Sequence, residues 1–364
     1  MNLPPSLERS GPVLPPLARE DLDQVLQGTL SCWEEARGQT LFIAGGTGFF
    51  GLWLLESFAA ANDRLKLGAR AVVLARHPEV LAQKAPHLLA RADLEFIAGD
   101  VRTFPFPSGR YPLVIHAATP VGTAVGAAAT REILDIIVGG TRRMLGFAAH
   151  SGARKFLLTS SGAVYGGQPT SINHLTEDGS GVPGPPLPVS AYGEGKRLAE
   201  QLCMDESRRA GFEAKVARCF AFVGPHLPLD GQFAIGNFIR DALSGKAIRV
   251  LGDGTSHRSY LYATDLAVWL WTILFRGAPA RAYNVGSRDA VSIAQLATLV
   301  GTTLGSPHPV QIAEPAVLGQ APSRYVPEVQ RAAAELGLRQ TVPLAEAIRR
   351  TANWWRAATP TTLI

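Results

Sequence analysis

From Gln39 onward the chain alternates between short apolar runs and stretches with helical spacing. The runs are Thr40–Ala44, Ala71–Ala75, Leu94–Ile97, Leu113–Ala117, Lys155–Thr159 and Glu213–Phe220. Because they are apolar on both faces, they read as strands buried between two helix layers, which predicts a doubly wound parallel α/β sheet. Upstream, residues 1–16 are rich in proline. Leu17–Arg37 then repeats Leu22, Val25, Leu26 and Trp33 at the spacing of an amphipathic helix, a face for the domain or for a partner subunit. Phe238–Leu243 and Leu266–Phe275 also read as helices, the second one buried. The tail from Arg324 ends in two helical pieces around Glu335 and Ile348. Gly166–Pro188 lacks any period and reads as a lid or loop tip.

The expected division is an N-terminal extension (1–37), a doubly wound α/β domain (38–222, rejoined by 262–288) and a smaller α+β lobe (223–261 and 289–364). A length of 364 residues fits that division. With 46% hydrophobic and 18% charged residues, global disorder is excluded. The net charge of +5 is spread along the chain without a basic stripe, so no nucleic-acid partner is expected. Cys32, Cys203 and Cys219 lie far apart and without metal-ligand spacing, which argues against a disulfide framework and a metal site. No apolar run reaches membrane-spanning length, and the expectation is a soluble, cytoplasmic protein.

Chemistry enters directly after the first strand, with Gly45-Gly46-Thr47-Gly48-Phe49-Phe50-Gly51 opening a helix. Gly45 permits the tight turn, Gly48 lets backbone approach a pyrophosphate, and Gly51 allows close helix–strand packing. The helix N-terminus adds free N–H groups and a favourable dipole end. The second strand ends Val73-Leu74-Ala75-Arg76, where an acid would favour NAD by binding the ribose 2′-OH. Arg76 instead suits a 2′-phosphate, so NADP is expected, with NAD as the alternative. Asp100-Val101 and Ala117-Ala118, each after a strand, suit the adenine amino group and the cofactor ribose.

Tyr192 and Lys196 stand four apart at a helix start, on one face. A neighbouring ammonium lowers a phenol's pKa toward working pH, as a general base requires. Ser161 follows the strand Lys155–Thr159 and suits a hydrogen bond to a substrate oxygen. With the glycine turn, these residues make the chain resemble the extended short-chain dehydrogenase/reductases of the nucleotide-sugar epimerase/dehydratase family, over residues 38 to about 356.

That resemblance implies a Rossmann-type dinucleotide-binding domain with a smaller α+β substrate-binding lobe, and Tyr192 as base, Lys196 as ribose ligand and Ser161 as third catalytic member. It extends the cofactor site to Thr47, Phe49, Phe50, Thr119, Thr159 and Phe220. It implies a nucleotide-diphosphate sugar substrate bound by Ser161, Phe222, Asn237, Val250, Leu251, Arg258 and Arg324, and a homodimer formed through helices around Arg131–Ala149 and Tyr192–Arg208. The substrate segment is similar to that of UDP-glucuronate decarboxylases. Three departures stand out. Gly162 and Ala163 occupy the sites of the dehydratases' Asp-Glu pair, Ile137 replaces an asparagine, and Ala221 replaces a substrate-contacting asparagine. Without the acid pair, the expected reaction is NAD(P)-dependent oxidoreduction at C4, as 4-epimerase or 4-ketoreductase. A 4,6-dehydratase or decarboxylase is the alternative, and a non-catalytic dinucleotide sensor a remote one.

Overall fold

The computed structural model describes residues 13–119, 127–179, 191–317, 319 and 321–358. Its central sheet comprises β1 (Thr40–Ala44), β2 (Arg70–Ala75), β3 (Leu94–Ala98), β4 (Leu113–His116), β5 (Lys155–Ser161), β6 (Glu213–Cys219) and β7 (Arg281–Val285). The spatial order is β7-β6-β5-β4-β1-β2-β3, and every pairing is parallel. Six strands match the predicted runs to within two residues at either end. The seventh is short and begins Arg281-Ala282, so it carries too little apolar signal to stand out in sequence. The strand order reverses between β1 and β4, and the crevice beyond their carboxyl ends is where ligands bind in such sheets.

The main helices are α1 (Arg19–Thr29), α2 (Phe49–Leu65), α3 (Ala127–Leu134), α4 (Gly140–His150), α5 (Ala191–Ala210), α6 (Ala234–Leu243), α7 (Ala263–Arg276), α8 (Ile293–Leu304), α9 (Gln330–Leu336) and α10 (Leu344–Ala358). Side chains alternate across β1, so Leu41 and Ile43 face one core and Phe42 and Ala44 the other. The first core lies under α1, α2 and α7; the second lies under α4 and α5, where Met144, Phe147 and Ala199 are buried. A π-helical turn, Asp135–Gly139, joins α3 to α4.

The N-terminal segment packs on its own domain. Its helix stops at Thr29 and continues as a 3₁₀ helix, Leu30–Ala36. Val25, Cys32, Trp33 and Ala36 all enter the first core, and the Trp33 ring meets Trp271 at 4.7 Å. The α2 carboxylate Glu56 accepts from the Leu17 amide at 2.8 Å. Tyr262 donates to Asp21 at 2.7 Å, while Arg350 on α10 holds the other Asp21 oxygen at 2.8 Å.

Beyond β6, the chain leaves the sheet through α6 and returns through α7 to β7. A small three-stranded sheet, in which His257–Arg258 pairs with both Val291–Ser292 and Arg324–Tyr325, sits against the crevice. No helix among the described residues is long and apolar enough to cross a membrane, and no group of metal-ligating side chains is found among them.

Candidate active site

The glycine turn is built as the residue types require. Gly45 has φ +93°, and a Cβ on it would lie 2.6 Å from the backbone of Ala117 and Ala118. A Cβ on Gly51 would lie 2.3 Å from the Gly45 carbonyl oxygen. Gly48, the N-cap of α2, differs: its nearest atom is 3.7 Å away, so the open side of the turn faces space and not protein. An exposed glycine at a helix N-terminus, with room over it, fits a dinucleotide pyrophosphate. Thr47, Phe49 and Phe50 flank this opening, and the Phe50 ring meets Phe222 edge-on at 5.2 Å. Phe222 is 8% exposed, which makes it mainly a wall between turn and lobe.

At the ends of β2 and β3 the arrangement is more committed than the sequence suggests. Arg76 is exposed. Asp100 accepts from the Arg102 amide at 2.8 Å and from its guanidinium at 2.9 and 2.5 Å, and this pairing holds the carboxyl below its usual range. Val101 is a core residue under α4, where a Cβ on Gly140 would lie 2.7 Å from it.

Ser161 ends β5 and caps a 3₁₀ turn, Gly162–Tyr165, by accepting from the Ala163 amide at 3.1 Å. Helix α5 begins against this turn because position 193 is glycine: a Cβ there would lie 2.6 Å from the Ala163 carbonyl oxygen. That approach sets the Tyr192 phenol beside Ser161. Burial pushes the phenol up to about 12, and Ser161 opposes the rise. One turn on, Lys196 is buried, and its Nζ lies 5.8 Å from the Tyr192 ring centroid. Nζ donates to Thr119 Oγ1 at 2.7 Å and to the Thr159 carbonyl at 2.8 Å. Burial depresses this ammonium to about 8. His116, buried nearby and held down to about 3 by the same desolvation, is neutral at working pH.

Sequence reasoning missed the support behind the serine. Ser160 donates to Glu200, which is ion-paired to Arg218 at 2.8 Å. Arg218 also donates to the Tyr165 hydroxyl at 2.9 Å, and Tyr165 donates to Asn284 at 2.7 Å. This buried network ties the carboxyl ends of β5, β6 and β7 to α5. No sequence spacing signals it, because bonded partners within it are up to 119 residues apart. Ile137 is buried in the π turn and packs against Gly195 on α5, an apolar use of the position.

The structure also separates residues that the sequence groups together. In the small sheet Tyr325 pairs with Arg258 and Arg324 with His257. Cross-strand partners share a face, so the two arginines stand on opposite faces. Arg258 lies 5.9 Å from the Tyr325 ring centroid, whereas Arg324 Nε is buried without a hydrogen-bond partner among the described residues. Val250, taken as a pocket wall, is 3% exposed and belongs to the first core, while Leu251 is 84% exposed. Strand alternation sends one inward and the next outward. Asn237 donates to the Gly231 carbonyl and accepts from Arg240, and its neighbour Phe238 is buried. Phe220 meets Tyr325 at 4.7 Å, on the lobe side of Ser161.

A glycine turn, a serine, a tyrosine and a buried lysine along the carboxyl edge of a Rossmann-type sheet are arranged as in the extended short-chain dehydrogenase/reductases. The chain belongs to the NAD dependent epimerase/dehydratase family, whose pattern it matches over residues 41–286. Among curated relatives, UDP-glucuronic acid decarboxylase 1 of Xenopus tropicalis is 29% identical over 323 residues, covering 87% of this chain and 72% of that one. UDP-glucuronic acid decarboxylase 6 of Arabidopsis thaliana is 31% identical over 235 residues, 65% of this chain and 67% of that one. The fold is shared with UDP-glucuronic acid 4-epimerase of Bacillus cereus, solved with UDP-glucuronic acid and NAD (TM-score 0.74, 19% identity, 88% and 100% coverage). It is also shared with the dTDP-glucose 4,6-dehydratase of Streptomyces venezuelae, solved with NAD (TM-score 0.71, 22% identity, 88% and 97% coverage).

Proposed function

We propose that this chain carries out nicotinamide-dependent oxidoreduction at C4 of a nucleotide-activated sugar, either as a 4-epimerase that oxidises and re-reduces C4 or as a 4-ketoreductase that only reduces a C4 ketone with reduced nicotinamide. The observation that carries this reading is the convergence of Tyr192, Ser161 and Lys196 beyond the carboxyl edge of β5, alongside the open face of Gly48. A bound nicotinamide dinucleotide supplies the hydride acceptor and donor for C4. Gly45, Gly48 and the α2 N-terminus would hold its pyrophosphate, and Lys196 its ribose. Tyr192, as phenolate, takes the proton of the C4 hydroxyl, and Ser161 steadies the reacting oxygen through its own O–H. Lys196 supplies positive charge beside the phenol. Without charge in the cleft, burial alone would keep Tyr192 protonated.

The finer assignment of the cofactor is NADP, from Ala75-Arg76 at the ribose end of β2. The leaving-group side of the substrate would be read by Arg258, with Arg324, Asn237 and Leu251 around the nucleotide. A homodimer through α3–α4 and α5 fits the 45% exposure of Leu198 on α5, and a monomer mass by light scattering at micromolar concentration would refute it.

A second reading is oxidative decarboxylation of a nucleotide uronic acid, favoured by the names of the curated relatives. A C4 ketone is β to the C6 carboxylate, so carbon dioxide leaves without an additional base. Dehydration is disfavoured by the residues present. Gly162 and Ala163 offer no carboxyl, Glu177 accepts from the Asn284 amide, and Asp178 is paired with Arg331 at the surface.

Incubation with UDP-, GDP-, CDP- and dTDP-sugars and their uronic acids, in heavy water, tests the reading. The expected product has unchanged carbon count and no deuterium at C5. Loss of carbon dioxide would select the second reading, and loss of water would overturn both. A dinucleotide sensor would bind cofactor equally well with Tyr192→Phe and turn over nothing in either form.

A further inference from the structure

Away from the catalytic residues, three titratable side chains meet at the edge of the first core. Glu56 comes from α2, His87 from the short helix Pro86–Leu89, and His226 from the loop after the strand Phe222–Val223. His87 Nε2 lies 3.3 Å from Glu56 Oε2, and His226 Nε2 lies 3.5 Å from Oε1. The Glu56 and His226 side chains are 3% and 1% exposed, while that of His87 opens toward solvent at 34%. His226 also holds a φ of +68°, a conformation that a residue other than glycine keeps only where its surroundings fix it. Neither ring completes a hydrogen bond to the carboxylate. Glu56 Oε1, His87 Nε2 and both His226 nitrogens are buried without a partner among the described residues. Buried polar atoms left in this state cost free energy, so the cluster is kept closed by what packs around it.

Part of that packing is a strap formed by residues 13–17. The Leu14 amide donates to the Gln83 carbonyl at 2.8 Å, on the short helix Leu81–Lys84. Trp354 Nε1 on α10 donates to the Pro16 carbonyl at 3.1 Å, and the Leu17 amide donates to Glu56 Oε2 at 2.8 Å. The Trp354 ring in turn stands edge-on to His226, with centroids 4.5 Å apart. Two of the three bonds that fasten the strap therefore end on Glu56 or on the ring that covers His226.

We infer that Glu56, His87 and His226 form an acid-sensitive latch: the strap is fastened while His226 is neutral and Glu56 ionised, and proton uptake by the cluster releases residues 13–17 from α2 and α10. The charged and titratable groups facing the cluster are those three and Lys84. From α10 it meets the Trp354 ring, and from the strap a backbone amide. Burial pushes the His226 imidazole below its ordinary 6.5, against the pull of Glu56. Burial raises the Glu56 carboxyl, but the two rings and the Leu17 amide outweigh it and hold the group below its ordinary 4.5. Both groups thus bind a proton less well when the latch is closed than when it is open. Their contribution is present at neutral pH, falls away as pH drops below 6.5, and falls further through 4.5. A proton on His226 needs water that the closed core does not admit, so its uptake comes with opening.

Amide hydrogen exchange of the whole chain, read by mass spectrometry and corrected for the intrinsic rate, tests this without a substrate. The comparison is between about pH 7.5 and about pH 5.5, either side of the ordinary histidine value. One histidine that titrates only in the open form makes opening about tenfold more favourable at the lower pH. Protection of the Leu17 amide should fall by that factor, while peptides from β1 and α7 keep theirs. His226→Asn removes the proton site with a residue that also tolerates positive φ, and its Leu17 protection should be the same at both pH values. Unchanged wild-type protection would overturn the inference, as would an equal fall in His226→Asn or a fall shared by β1 and α7. If His226→Asn does not fold, the wild-type profile decides. A loss that sets in below about pH 6.5 supports the latch, and one that begins only near the ordinary carboxylate range, about pH 4.5, overturns it.

Discussion

Lys196 reaches Thr119 Oγ1 at 2.7 Å from a position where almost none of its side chain meets solvent. Its ammonium also holds the Thr159 carbonyl, so one charge ties the end of β5 to the loop after β4. Desolvation lowers this group from its ordinary 10.5 to about 8. Between those values the unfolded chain binds the proton and the folded chain releases it, so stability from this residue rises with pH across that window. Thermal unfolding of wild type and Lys196→Met should show wild type gaining relative to the variant from pH 8 to pH 10.5. A constant difference would refute the depressed value. Turnover in Lys196→Met should fall by about 10²-fold or more, as expected when a general base loses its support.

Two glycines seven and four residues past Ala44 should respond oppositely to alanine. In Gly51→Ala the new methyl would lie 2.3 Å from the Gly45 carbonyl oxygen, and overpacking of this kind costs about 1–3 kcal/mol. In Gly48→Ala nothing lies closer than 3.7 Å. Its melting temperature should stay at the wild-type value while the cofactor Kd rises about tenfold, or about 1.4 kcal/mol. Equal thermal losses in both would show that the space over Gly48 is not a ligand site.

Arg76 is exposed at the ribose end of β2, and the nearby Asp100 is already paired with Arg102. Arg76→Ala should therefore weaken NADP by about 1.5–3 kcal/mol, the scale of a charged hydrogen bond, and leave NAD nearly unchanged. Equal losses in titration calorimetry would assign the site to NAD.

Glu200 and Arg218 form a largely buried pair, their side chains 10% and 17% exposed. Arg218→Met strands the Glu200 carboxylate, and stability should fall by about 3–5 kcal/mol. Adding Glu200→Gln should recover part of that loss in urea unfolding. Additive losses would mean that the two side chains act independently.

Trp33 lies in the N-terminal segment, yet it is 1% exposed against Trp271, Phe58 and Phe275. Trp33→Ala should cost about 3–5 kcal/mol. A wild-type unfolding curve for this variant would show the segment to be an appendage.

Periodicity alone determined six of the seven sheet strands and the parallel class, because a strand buried on both faces must be apolar at every position. The glycine turn and the Tyr192/Lys196 spacing were equally legible, since local backbone geometry and one helix face demand those residues. Other features depended on contacts between distant segments. Whether Trp33 faced its own domain or a partner was settled by packing against α7. Arg258 and Arg324 look like one set in sequence, and only strand register put them on opposite faces. Val250 and Leu251 were divided in the same way. Tyr325 carried no signal: it stands 163 positions after Gly162 (325 − 162), yet its hydroxyl fills the space where a side chain at Gly162 would be. Sequence spacing encodes what one element does with itself. The pairing of a glycine's empty side with a distant ring is decided only when the elements close on one another.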